Sequence, residues 1–269
     1  MWNIKEENLS DFKITAKNRL SPDNSVSFML GTIIWCSIVM LFIAIILFKF
    51  GWSGFPSTFE KVVVFIEVVF YILQIAFLFI FSKPKMYIKF QKIISILTLF
   101  YAFQLATIGF LWLVIKGIFA FPNDTLTFTY VGLLLAGGFL THILCTISIF
   151  KQAENGKFNG ENSSGFFFDK AIIFTVLGSI LYVLTLLILI LIHTFGEIKL
   201  GDMFFYFILS VILYAVAIGS AEFQLLVYCK YKFPSFNMSW HEYEKETKEL
   251  LKNYKKRNRK SNKNKKKLS

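Results

Sequence analysis

The sequence predicts an all-α fold: a polytopic membrane helix bundle with six transmembrane helices and both termini cytoplasmic. Three observations predict it. The 269 residues are 55% hydrophobic and only 17% charged, whereas a soluble domain is about 25% charged. Six apolar runs, near 28–48, 62–82, 93–115, 126–150, 171–193 and 203–228, each reach the about 20 residues that cross a hydrocarbon core of about 30 Å as a helix. Lys and Arg fall 25 to 4 on one side of those runs, a strong positive-inside bias. Helix is the form these runs must take, because lipid offers the backbone no hydrogen bonds.

The formal charge of +12 is unevenly placed. From Lys230 to Ser269 there are fourteen Lys/Arg against four Glu, so the rest of the chain carries only +2. This excludes a generally basic nucleic-acid-binding protein. Cys36, Cys145 and Cys229 each lie in or beside an apolar run. Their odd number and lack of ligand-like spacing argue against a disulfide framework or a metal site.

Residues 1–27 form a cytoplasmic segment in which Trp2, Ile4, Leu9, Phe12 and Ile14 alternate with charges, the pattern of a short interfacial helix. Ser21-Pro22 reads as an N-cap followed by Pro at N1. The first run follows this segment and exceeds the about 7–15 apolar residues of a signal peptide, so it is expected to be an uncleaved anchor and to open a transmembrane domain over 28–229. Lys83, Lys85, Lys89 and Lys92 then mark a cytoplasmic loop. The loop near 151–170 carries Gly156, Gly160 and Gly165 among asparagines, which favours turns. No internal repeat is visible, although two three-helix halves are arithmetically possible.

Ionisable and amide side chains at membrane depth are functional candidates, because placing them there is costly. Glu60, Glu67 and Gln74 recur every seven residues and share one side of the second helix. Glu60 falls at the outer interface, Glu67 roughly 8 Å inside at about 1.5 Å per residue, and Gln74 near the midplane. Gln104 on the third helix lies at the same depth, so a Gln74–Gln104 contact is expected as helix glue. In the fourth helix Gly132, Ala136, Gly137 and Gly138 predict close packing, and His142 follows one turn later. In the sixth, Glu222 is expected to reach the interface, toward Lys230. Two readings stand for Glu67, Gln74, Gln104, His142 and Glu222: separate packing contacts, or one polar pathway.

Gly51-Trp52-Ser53-Gly54 resembles the GxSG nucleophile motif of rhomboid intramembrane proteases. That family places the serine at the start of its fourth helix, with its histidine two helices later. Here Ser53 precedes the second helix and lies across the membrane from His142, so a Gly/Ser/Pro turn is the better reading. His142 and Cys145 share a helix face, but a buried thiol without electropositive neighbours is inert. No P-loop, GxGxxG or HExxH occurs. An enzyme is therefore disfavoured, and no cofactor is expected.

Ser239-Trp240-His241-Glu242 fits a capping box, opening an amphipathic helix from about 240 to 256. Beyond it Lys255, Lys256, Arg257, Arg259, Lys260, Lys263, Lys265, Lys266 and Lys267 occur with no acid, predicting a disordered tail. Attraction of about 1 kcal/mol per basic residue points to anionic lipid headgroups, with ribosomal RNA as the rival partner. In composition the tail resembles the lysine-rich tails of bacterial membrane insertases. That family carries an arginine inside the membrane, and no Arg occurs in any run here.

Abundant Phe, Ile, Lys and Asn and compact loops suit a bacterial plasma membrane. Two function classes follow: a non-enzymatic membrane partner, either an accessory subunit of a secretion or transport complex or an immunity-type protector, and a small secondary transporter or channel. The positive-inside count makes one direct prediction. Epitope tags at either end will be inaccessible to antibody in intact cells and exposed after permeabilisation; tags reached from outside would refute the orientation.

Overall fold

The computed structural model describes residues 2–55, 57–114, 124–159, 169–193, 200–249 and 252. Every regular element among them is helical. A 3-10 turn at Glu6–Leu9 leads into α1 (Ser10–Asn18). Then follow α2 (Pro22–Phe50), α3 (Thr58–Phe81), the short α4 (Pro84–Lys89) and α5 (Gln91–Thr107). A 3-10 turn joins α5 to α6 (Leu111–Val114). The second half holds α7 (Asp124–Glu154), α8 (Lys170–His193) and α9 (Leu200–Lys232), and a helix over 240–249, α10. Six of these, α2, α3, α5, α7, α8 and α9, are long and apolar enough to cross a membrane.

Local chemistry sets several ends. Pro22 occupies the first turn of α2, behind Ser21 in extended conformation, as the Ser-Pro pair predicts. The helix ends at Gly51, whose φ of 58° suits a residue without a Cβ. Ser57 caps α3, its Oγ accepting from the Glu60 amide at 3.1 Å. Asp169 caps α8 by accepting from the Ala171 amide at 2.9 Å. It also pairs with Lys157, and that hydrogen bond holds the Asp169 carboxyl below the usual carboxylate range. The Ser239–Glu242 capping box is reciprocal: the Ser239 amide donates to Glu242 Oε2 at 2.9 Å and the Glu242 amide to Ser239 Oγ at 3.2 Å.

α9 is the spine. It packs along α7 and α5; α5 also packs on α2, while α3 leans on α2 and α8 on α7. α3 and α8 thus lie at the periphery, with Phe65, Ile72, Phe79, Phe174, Leu181 and Ile192 exposed as lipid-facing side chains should be. The three cysteines are buried and unpaired.

The N-terminal segment, expected to form a short helix, does so over Ser10–Asn18 and docks on the end of the bundle. Ile4, Leu9, Phe12, Ala16 and Leu20 share one core with Cys145, Ile149 and Ala153 of α7 and Leu225, Leu226 and Cys229 of α9. Polar contacts fix the same interface. The Asp11 amide donates to the Phe158 carbonyl at 2.9 Å, the Asn3 amide to Glu154 Oε1 at 2.9 Å, and Lys232 Nζ to the Ile4 carbonyl at 2.8 Å.

The C-terminal segment is held beside it. The Gln91 side chain acts as a surrogate peptide group, donating to the Met238 carbonyl at 2.9 Å and accepting from the Met238 amide at 3.0 Å. Tyr87 and Tyr243 join through their hydroxyls at 2.5 Å, and burial raises the Tyr87 phenol above its ordinary range. Both docked ends therefore lie on one face of the bundle. The polybasic stretch Lys255–Lys267 and the end of the helix expected to reach 256 lie outside the described residues.

The close approach expected in α7 falls on Gly137 and Gly138, not on Gly132. A Cβ on Gly137 would stand 2.5 Å from the Tyr182 ring and overlap the Tyr214 hydroxyl, whereas Gly132 has open space. Tyr182 is tethered by its hydroxyl to the Leu133 carbonyl at 2.9 Å, so it cannot swing aside freely. Gly137→Ala is accordingly expected to lower the melting temperature in detergent. The overpacking cost of about 1–3 kcal/mol exceeds the roughly 1 kcal/mol that Ala gains over Gly in a helix. Gly132→Ala, measured in parallel, should leave stability equal or higher.

Candidate functional site

The buried seam of α3 is the heptad stripe read from the sequence. Glu60, Val64, Gln74 and Phe81 are buried on one side, with Glu67 partly buried between them. α5 presents Gln104 to this seam. Gln104 Nε2 donates to Glu67 Oε2 at 3.0 Å, and Gln104 Oε1 accepts from Gln74 Nε2. Tyr101, one turn earlier on α5, donates its hydroxyl to the Gln74 carbonyl at 2.6 Å. Ser37 of α2 and Tyr71 of α3 share a hydrogen bond of 2.6 Å. α3 is thus fastened to both α2 and α5 by polar bonds, where apolar packing against lipid gives no net drive. Gln74 Oε1 and Glu60 Oε2 are buried without a hydrogen-bond partner.

His142 belongs to a different contact. Its Nδ1 lies 2.8 Å from Ser220 Oγ and 3.1 Å from the Ala217 carbonyl of α9, and Phe103 of α5 meets its ring edge-on at 4.9 Å between centroids. The imidazole thus ties α7 to α9, and its Nδ1 is engaged there rather than with Cys145. Nearby, Thr146 donates to Gln224 Oε1 at 3.1 Å.

Glu222 pairs with Arg19 rather than reaching toward Lys230. Lys230 is eight residues further along α9, about 12 Å at 1.5 Å per residue. Arg19 comes from the docked N-terminal segment and stands just before α2. A cleft of about 470 Å³ opens beside this pair, walled by α2, α5 and α9.

The five intramembrane candidates therefore separate into three groups. Glu67, Gln74 and Gln104 are bonded together, His142 is held by Ser220, and Glu222 by Arg19. The sequence signals missed Arg19, Ser220 as the histidine's partner, Tyr101 and the Gln91 clamp. Each of these contacts joins segments distant in sequence, so no local pattern announced it. Ser53 is exposed in a 3-10 turn, its hydroxyl donating to the Phe50 carbonyl at 2.5 Å, as the turn reading expects. Among the described residues, no three His, Cys, Asp or Glu side chains group as metal ligands. The tail candidates Lys255, Lys256, Arg257, Arg259, Lys260, Lys263, Lys265, Lys266 and Lys267 lie outside the described residues.

No family model, curated protein or solved structure matches the chain.

Gln104 is the centre of its network. Gln104→Leu strips partners from both Glu67 and Gln74 and should destabilise by about 1–3 kcal/mol. Adding Gln74→Leu should cost less than it does alone, because the two amides share a bond. Melting curves of the singles and the double in one detergent measure this; strict additivity would show that the bond contributes nothing.

Proposed function

We propose that this chain is a multi-pass protein of a bacterial plasma membrane, with both termini cytoplasmic, acting as a non-enzymatic membrane partner. It serves either as an accessory subunit of a secretion or transport complex or as an immunity-type protector. The observation that carries this reading is the division of the intramembrane polar side chains into three separate groups bonded across helices. A conduction pathway or a catalytic centre would gather such groups around one opening. The positive-inside count supports the orientation. The polybasic residues 255–267 follow a segment docked on the same face as the N-terminus, which suits contact with anionic headgroups of the inner leaflet.

A small transporter is the second reading, and one observation favours it. Gln74 Oε1 and Glu60 Oε2 are buried and unpartnered on the same helix face, and such groups normally find a partner.

Crosslinking and pull-down from native membranes, with and without residues 255–267, distinguish the two. A stoichiometric membrane partner is the expected result. No partner, together with solute flux in proteoliposomes that Glu67→Gln abolishes without reducing expression, would replace this reading with the transporter.

A further inference from the structure

The cleft beside Arg19 and Glu222 has two unlike parts. Its interior is apolar: Phe28, Ala102, Ala215, Val216 and Phe223 line it, and the Phe28 and Phe223 rings lie 6.1 Å apart. Gly219 leaves the α9 wall open there, since a Cβ on it would have nothing within 4 Å. The volume of about 470 Å³ is in the range of sites that enclose small ligands, about 300–1,000 Å³. The same cleft also carries a guanidinium and a carboxylate in contact. The Arg19 side chain is 56% exposed, while Glu222 is only 10% exposed.

An apolar groove within a membrane-spanning bundle holds an acyl chain as its natural occupant. The headgroup is decided by charge. An anionic head would gain Arg19 but meet the desolvated Glu222 carboxylate, and like charge in that position is repulsive. A zwitterionic head meets an opposite charge at each end. Arg19 can serve both neighbours, because its five N–H donors form a planar fork that grips carboxylate and phosphate alike. The Glu222 carboxylate has lone pairs beyond those that face Arg19, and charge-assisted bonds strengthen away from water. A primary ammonium supplies three donors, whereas a quaternary ammonium supplies none.

We propose that this cleft is a binding site for a phospholipid with an ethanolamine headgroup. One acyl chain lies along Phe28, Ala102 and Gly219, the phosphate rests on Arg19, and the ammonium donates to Glu222. The site ties α9, α5 and the α1–α2 junction together through a lipid of the inner leaflet, and does not depend on whether the protein acts as partner or transporter.

The test uses the full chain purified in detergent, incubated with ethanolamine, choline or glycerol phospholipids of matched acyl chains, and bound lipid counted by native mass spectrometry. The ethanolamine lipid should be retained at least about threefold over each of the others. Gly219→Leu, which fills the cleft and keeps both charges, should abolish that preference while the melting temperature is kept. Arg19→Gln/Glu222→Gln, which removes both charges together, should also abolish it. Equal retention of the three lipids, or preference for the glycerol lipid, would overturn the proposal. So would an ethanolamine preference that survives either variant.

Discussion

A hydrocarbon core is about 30 Å thick, and a helix of 33 residues such as α9 is about 50 Å long at 1.5 Å per residue. α7, with 31 residues, is nearly as long. Roughly ten residues of each therefore run past the apolar slab. The C-terminal ends of both still carry large apolar side chains on facing sides, among them Ile149 and Phe150 on α7 and Leu225 and Leu226 on α9. In water such faces must be covered. The N-terminal segment covers them, packing Leu9, Phe12, Ala16 and Leu20 against residues of both helices. The surplus length of α7 and α9 thus determines the fold of the first twenty residues. It also determines where Arg19 stands, and hence which partner Glu222 finds.

Within the slab the governing constraint is different. Lipid competes for apolar contact as well as any neighbouring helix does, so packing specificity rests on small residues and polar bonds. The two central helices show the first device: Gly138 of α7 lies so near Leu213 of α9 that a Cβ would stand 2.9 Å from it. The peripheral α3 shows the second, held to α5 through Gln104. Measured interhelical hydrogen bonds average about 0.6 kcal/mol and reach about 2. Several along one helix are enough to fix its rotation, which an apolar surface alone leaves free.

These two regimes explain what could be read from the sequence. The six spans were legible because lipid-facing positions demand apolar side chains over a set length, and a helix satisfies such a backbone within itself. The Gln74–Gln104 contact was legible because both amides fall at one depth on consecutive helices. Helix ends without a capping signal were not. α7 continues through Lys151, Gln152 and Glu154, polar residues that read as loop although the chain is still helical there. The partner of Glu222 was also hidden, since Arg19 lies at the far end of the chain and only docking of the N-terminal segment brings it near. His142 likewise gave no cue to Ser220, a residue whose neighbours Gly219 and Ala221 advertise packing more strongly than hydrogen bonding.

The two halves of the chain solve the same packing problem in the same way. In the first, α2 packs on both α3 and α5; in the second, α7 packs on both α8 and α9. The second helix of each half is peripheral, and the third helices, α5 and α9, meet at the centre. Each half holds three helices long and apolar enough to cross a membrane, and an odd number of crossings puts the starts of the two halves on opposite sides. No residue pattern recurs between them, and the physics does not require one. Outward positions accept any large apolar side chain, and the polar fasteners differ: Gln104 with Gln74 and Glu67 in one half, the Thr141–Ser179 hydroxyl pair at 2.8 Å and the Tyr182 hydroxyl on the α7 backbone in the other. Equivalent architecture held by unlike bonds follows when lipid fixes helix length and direction, while the few polar contacts need only secure rotation.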